Sequence, residues 1–398
     1  MANAVQLRTA ESRIRTHPAF LRLCAAAFLA YCSYAICRTP LIPLYARELG
    51  ASAPTIGLVM GASTVAGVLI KLPAGAWSDV LGRRPLLISG AVVFALMPFS
   101  YFVATTIAAL AIVRFIHGSA TAIFGPVSAA AISDIAPAHR RATWLSTFAT
   151  VASLGAATGA MLAGFLVADG YARAFAVSAA LAIATPFIVF TWPARPDDHP
   201  ARRAPVSVLG GISDVVRRPL ILVTSLAQAA QLTLHGTLGA FLPLFASEQL
   251  DLPPAYIGML FAVQTVTTLA TRPLIGALSD RIGRRSIIVS GLTLCASAGL
   301  IVSLAESAPL LVAGVITYAI GTAVASAAAS AFITDLSHRA QYGAAHGVYG
   351  TIYDVGDALG PIAAGFLVAS IGYAHMFQTM AALVAVAAIV FAIATQRQ

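Results

Sequence analysis

Charge is scarce in this chain. Only 10% of its 398 residues are Asp, Glu, Lys or Arg, and lysine occurs once, as Lys71. Soluble globular domains carry about 25% charged residues. With 59% apolar residues and a mean hydropathy of +0.86, a water-soluble globule is excluded. Cysteine is sparse as well. Cys24, Cys32, Cys37 and Cys295 sit inside apolar stretches, at spacings that suit neither a disulfide framework nor a metal, and read as small packing residues. Aromatic residues, at 8%, imply no cage for lipophilic cations. The chain has no glycine-rich phosphate loop, no metal-ligand spacing and no catalytic-triad signature. Those absences argue against an ATP-driven pump, an enzyme and a bound cofactor.

What the chain has is long apolar runs. Stretches of 18 or more residues recur throughout, each able to cross a bilayer at about 1.5 Å per residue. Twelve spans are predicted, centred near residues 34, 66, 95, 119, 155, 184, 233, 266, 296, 322, 357 and 385. The first follows a basic stretch and contains Cys24-Ala25-Ala26-Ala27, as a signal peptide would. It continues well past that point and reads as a retained span. The only long polar stretch, Pro193 to Pro219, holds five Arg and three Asp and reads as a linker with a short surface helix. The predicted organisation is a cytoplasmic tail over 1–18, a six-helix bundle over 19–193, a cytoplasmic linker over 194–218 and a second six-helix bundle over 219–395.

Basic residues gather in alternate inter-span segments, among them Arg83, Arg84, Arg140, Arg141, Arg217, Arg218, Arg284 and Arg285. The other segments hold Glu48, Glu248, Asp251 and Glu306. This is the positive-inside pattern of a multi-pass protein of the inner (plasma) membrane with both termini cytoplasmic. The net charge of +9 is spread over loops and forms no basic face for nucleic acid.

One signature occurs twice. Gly75-Ala76-Trp77-Ser78-Asp79-Val80-Leu81-Gly82-Arg83-Arg84 returns 201 residues later as Gly276-Ala277-Leu278-Ser279-Asp280-Arg281-Ile282-Gly283-Arg284-Arg285. The register holds far beyond it: Ile56-Gly57 matches Ile257-Gly258, Lys71 is answered by Arg272, Asp134 by Asp335, and Gly155, Gly159 and Gly164 by Gly356, Gly360 and Gly365. Two parallel copies of one multi-span unit are an architecture of secondary transporters.

The chain resembles the major facilitator superfamily of transporters over essentially its whole length. Gly75, Asp79, Gly82, Arg83 and Arg84 match the family's G-x-x-x-D-x-x-G-R-R/K loop, and the second copy is nearly as complete. Arg114-Phe115-Ile116-His117-Gly118 resembles the R-x-x-Q-G motif of proton-coupled members, with His for Gln. Gly155-x3-Gly159-Ala160-x2-Ala163-Gly164 resembles the span-five antiporter motif without its G-P, and Gly360-Pro361 in span eleven supplies that dipeptide instead. The resemblance implies an all-α integral membrane fold of 12 transmembrane helices in two pseudo-twofold-related six-helix bundles, working as a monomer by alternating access. It also implies that Gly75, Asp79, Gly82, Arg83, Arg84 and Asp134, with Gly276, Asp280, Gly283, Arg284, Arg285 and Asp335, latch the cytoplasmic side in the outward-facing state. Gly75 and Gly276 are expected to admit a close neighbouring helix.

Ionisable residues inside a membrane usually face a cavity or one another. Spans three, six, nine and twelve contain essentially none, which marks them as outer helices. Asp354 and Asp357, three residues apart near the centre of span eleven, share a helical face. Carboxylates removed from water and close together are groups that bind and release protons near neutral pH. They are candidates for proton coupling, with Arg114 and His117 beside them; the competing reading is a structural ion pair with Arg38, Arg114, Lys71 or Arg272. Tyr31, Tyr34 and Arg38 form an i, i+3, i+7 stripe, and Gln228, Gln231 and His235 form another in the second half. These residues and Tyr353 are candidates for the substrate cavity, the two stripes facing each other across it, or else for ordinary interhelical hydrogen bonds. Lys71 and Arg272 either snorkel to the interface or offset the span-eleven carboxylates.

The expected function is proton-coupled efflux of a small molecule, a drug or metabolite exchanged for H+. The alternative is a proton-coupled importer of a small organic anion or sugar, with Arg38 and Arg114 as carboxylate clamps. A receptor without flux would need a signalling domain that the linker leaves little room for.

Overall fold

The computed structural model describes residues 17–192, 218–337 and 342–396. Residues 1–16 of the predicted tail, nearly all of the 194–218 linker and the side chains of Asp79 and Asp280 lie outside the described residues. The structure is all-helical: α1 (Pro18–Ile36), α2 (Leu41–Glu48), α3 (Ala53–Leu81), α4 (Arg83–Ser100), α5 (Ile107–Ile135), α6 (Arg141–Val167), α7 (Tyr171–Phe190), α8 (Pro219–Leu250), α9 (Pro254–Ile282), α10 (Arg284–Ser303), α11 (Ala308–Asp335) and α12 (Tyr342–Ala394). α1 and α2 together make one crossing. α12 makes two, because Gly372, at φ 78°, reverses the chain within it. Among the described residues the result is twelve crossings in two sixes. Among the described residues, eight stretches are long and apolar enough by themselves to span a membrane. α4, α8 and α9 fall outside that set, α4 at 18 residues with two arginines and α8 and α9 rich in Thr and Gln.

Proline and glycine set the helix limits. Pro54, Pro219 and Pro254 lie in first turns, where a missing N–H leaves no bond unmade. Gly82 and Gly283 sit at φ 88° and 98° between consecutive helices, a left-handed conformation that costs glycine nothing. That is why each signature needs glycine before its paired arginines.

In the first half α1 packs on α6 and α7, α3 on α5, and α4 on α5 and α7. The second half repeats this, with α8 on α12, α9 on α11, and α10 on α11 and α12. The repeated glycines are crossing points: Gly159 lies against the Cys32 carbonyl and Gly360 against that of Thr233, where a Cβ would come within 2.1 and 2.2 Å of the oxygen. Close backbone approach of this kind holds helices together in lipid, where burial of apolar surface supplies no drive.

The halves meet along two seams, α3 against α12 and α6 against α9. We call the end bearing Arg83 and Arg284 the basic end and the opposite one the far end. Gly57 against Pro361, Gly164 against Gly258 and Gly365 against Ala53 bring the two halves into backbone contact, all toward the far end. One buried apolar cluster runs across both halves there, including Ile42, Ala46 and Ile56 with Phe241, Leu242 and Phe245. A second cluster, around Phe20, Leu87, Trp144 and Phe148, stays within the first half. Gly75 meets no neighbouring atom within 4 Å, contrary to the close approach expected of it. Its flank of α3 is open because the seam tightens toward the other end.

Candidate functional site at the junction of the two halves

The site forms where α1, α3, α8 and α12 converge. Gly356, Gly360 and Gly236 let α12 and α8 touch backbone to backbone, which fixes the height and rotation of the α12 carboxylates. Asp357 Oδ2 lies 3.8 Å from Arg38 Nη2, in the turn between α1 and α2, and accepts a 3.3 Å bond from Thr64 Oγ1 on α3. Its Oδ1 is buried with no hydrogen-bond partner among the described residues. One turn nearer the basic end, Lys71 Nζ on α3 lies 2.5 Å from Asp354 Oδ2. Lys71 therefore offsets a span-eleven carboxylate. Both carboxylates belong to the second half and all three partners to the first, so the polar junction ties the two halves together.

A cavity of about 160 Å³ adjoins Arg38. It is lined by Ala35, Arg38 and Thr39 of the first crossing, Ala156 and Ala160 of α6, His235 and Gly239 of α8, and Phe261, Gln264 and Thr265 of α9. Of the two stripes, only Arg38 and His235 come together here.

The remaining stripe residues turn into their own bundles, correcting the expectation that the stripes face each other. Tyr34 packs edge-on to Phe94 and His117, and Tyr31 tilts against Phe94. Gln228 Nε2 donates to Gln231 Oε1 at 2.6 Å and to Ser326 Oγ at 3.1 Å. Gln231 Nε2 donates to Tyr318 OH at 2.7 Å and Thr322 Oγ1 at 2.9 Å. Helical periodicity tells which residues share a face, not which neighbour that face meets.

Arg114 and His117 are fully buried within the first half. Arg114 Nη2 donates to Ser63 Oγ at 2.6 Å and Nη1 to the Cys37 carbonyl at 3.2 Å, with the guanidinium over the Tyr34 ring. His117 Nδ1 lies 3.1 Å from Tyr101 OH. Neither touches Asp354 or Asp357, and Arg114 does not line the cavity beside Arg38. The pair braces α5 against α1, α3 and α4. Tyr353 stacks edge-on with Tyr349, one residue from Asp354.

At the basic end each half carries the same network. Arg83 Nε donates to Asp134 Oδ2 at 3.1 Å and Nη1 to Ser78 Oγ at 2.6 Å. Arg284 does the same to Asp335 and Ser279, at 3.2 and 3.0 Å. Arg84 Nη2 bonds the Phe190 carbonyl and Arg285 Nη2 that of Ala392. These described contacts stay within a half. Ser78 and Ser279 escaped the sequence reading, although their repetition inside the signature was the available signal.

The far end holds a cluster the sequence reading missed. Arg47 Nε donates to Glu248 Oε1 at 2.7 Å across the halves, and Tyr373 OH donates to Glu248 Oε2 at 2.8 Å. Its signal was the repeat itself, since Arg47-Glu48 aligns with Ser247-Glu248 and leaves one arginine facing two acids.

Two pseudo-symmetric six-helix bundles meeting at a charged junction beside a cavity are an architecture of membrane transporters. The sequence profile of the Major Facilitator Superfamily matches residues 23–235 and 224–397. The chain belongs to that superfamily. It is 23% identical over 349 residues, 85% of this chain and 88% of the other, to a transporter of the superfamily from Methanocaldococcus jannaschii. It is 25% identical over 144 residues to the quinolone resistance protein NorA of Staphylococcus aureus, a match covering 36% of this chain and 37% of NorA. In three dimensions it superposes on a bacterial homologue of the human lysosomal transporter Spinster, solved inward-facing and unoccupied, with a TM-score of 0.81 at 15% identity, covering 95% of this chain and 96% of that one.

Proposed function

We propose that this membrane transporter exports a small molecule in exchange for protons, with Asp357 as the coupling group. One observation carries the reading: a single carboxylate of the second half meets Arg38 and Thr64 of the first while keeping one buried oxygen free. Protonating Asp357 removes its attraction for Arg38 and loosens the junction; deprotonating it restores the tie. Asp354 with Lys71 works beside it as a second tie between the halves. The basic end is cytoplasmic by the positive-inside rule, so the closed far end makes this the inward-facing form, ready to load from the cytoplasm of a cell whose inner membrane holds the protein. The two bundles are the rocking bodies of a monomer, joined by the 194–218 segment, and the Arg83 and Arg284 networks latch the cytoplasmic side in the opposite state.

The test is proton movement in everted membrane vesicles under an imposed pH gradient, with drugs, sugars and organic acids added in turn. A compound that releases lumenal protons with wild type but not with Asp357→Asn supports antiport through this group. An unchanged response in Asp357→Asn removes it from the mechanism. A second reading, symport of an organic anion, draws on the accessible Arg38 guanidinium at the cavity. Proton uptake accompanying the substrate, rather than opposing it, would establish that one.

A further inference from the structure

The two seams follow one pattern and are filled differently. On α3, Gly57, Thr64 and Lys71 stand seven residues apart and share the face toward α12. Each is answered there: Gly57 by the Pro361 carbonyl, Thr64 by Asp357 and Lys71 by Asp354. On α9, Gly258, Thr265 and Arg272 repeat the series 201 residues later. Gly258 lies against Gly164 and the Ala160 carbonyl of α6, so this face looks along the other seam.

From there the seams diverge. The α6 positions that correspond to Asp357 and Asp354 are Ala156 and Ser153, and α6 contains no acidic residue. Where one seam holds the Asp357 side chain, the other has the cavity of about 160 Å³ beside Ala156, Ala160, Phe261 and Thr265. Arg272 is exposed, and among the described residues nothing answers its charge. It stands about 10 Å along the axis from Thr265. Helix geometry tilts its side chain toward the helix N-terminus, hence toward the cavity. A cation at this depth is costly unless an anion or water meets it.

We infer that the α6–α9 seam is an anion subsite of the substrate path, and that the substrate is a small organic monocarboxylate. Its carboxylate takes the place of the acid that α6 lacks and pairs with the Arg272 guanidinium. Its apolar body occupies the cavity against Phe261, Ala156 and Ala160. Arg272 is thus a specificity-determining residue, and the inference rests on the reading of the chain as a transporter whose cargo passes between the halves.

The experiment uses the full chain in lipid nanodiscs, with benzoate and salicylate as probes and benzamide and salicylamide as their uncharged counterparts. Binding is read by calorimetry at constant ionic strength. The acids are expected to bind and the amides to bind at least tenfold more weakly. Arg272→Gln should weaken the acids tenfold or more, whereas Arg272→Lys keeps most of the affinity. Ser153→Asp supplies the missing partner from within and should abolish acid binding while leaving the chain folded. Equal binding of acid and amide, no binding of either acid, or undiminished acid binding by Arg272→Gln each overturns the inference. Failure of the transport reading shows differently. Proton movement driven by a neutral or cationic compound and unaffected by Arg272→Gln keeps the antiporter and discards this substrate class. Arg272-dependent acid binding without any proton movement keeps the subsite and discards the coupling.

Discussion

Lys71 Nζ lies 2.5 Å from Asp354 Oδ2, so the chain's only lysine ties its first half to its second. Replacing Lys71 by Met strands a carboxylate only 17% exposed. The expected cost is about 1 kcal/mol, kept low by solvent screening of a lysine that is itself 42% exposed. The double variant Lys71→Met, Asp354→Leu should recover most of that loss. Thermal unfolding of the four proteins in detergent closes the cycle, and losses that simply add would show that the pair does not interact.

Arg47 and Glu248 pair across the two halves at the closed far end. Arg47→Ala should shift the population toward a form open at that end. A Thr39→Cys reporter, next to the cavity, reads this through a membrane-impermeant thiol reagent, since the four native cysteines are buried. Labelling from the far side should rise severalfold. Unchanged labelling would mean that the apolar cluster behind the ion pair suffices for closure.

Gly57 is a steric test of the same closure. A Cβ there would sit 2.2 Å from the Pro361 carbonyl oxygen, and backbone cannot yield as a side chain can. Gly57→Val is expected to block far-end closure, raise Thr39→Cys labelling and lower transport at least tenfold while leaving expression intact. Wild-type transport in this variant would show that α3 and α12 can separate without loss of function.

Arg114 is bound by two acceptors on two different elements, the Cys37 carbonyl and Ser63. A lysine cannot fork between them. Arg114→Lys should therefore destabilise the first half by about 1–3 kcal/mol, seen as a lower melting temperature and poorer yield of monodisperse protein. A loss of transport with full thermal stability would instead assign Arg114 a direct part in substrate or proton movement.

The crossings, the twofold repeat and the family were legible because hydropathy and a constant offset are properties of the sequence itself. The interior was only partly so. Asp354 and Asp357 stood out as charges where charge is costly, and Lys71 was placed beside them as one option of two. The orientation of Gln228 and Gln231 was not legible, since a polar stripe looks the same whether it meets a cavity or Tyr318 and Thr322. Gly75 misled for a different reason: a small residue permits close approach without requiring it, and this conformation leaves that flank of α3 open.

α12 rises from Asp354 to its reversal at Gly372 over about 27 Å, and the next residue, Tyr373, bonds Glu248 at the far end. The first leg of α12 is therefore a lever with the ion-paired junction as its pivot and a fastener at its tip. A tilt of roughly 5° about the junction moves the tip by about 2.4 Å, enough to break a hydrogen bond. Motion at the junction and closure of the far end are thus joined in one piece of helix, and neither can change without the other feeling it.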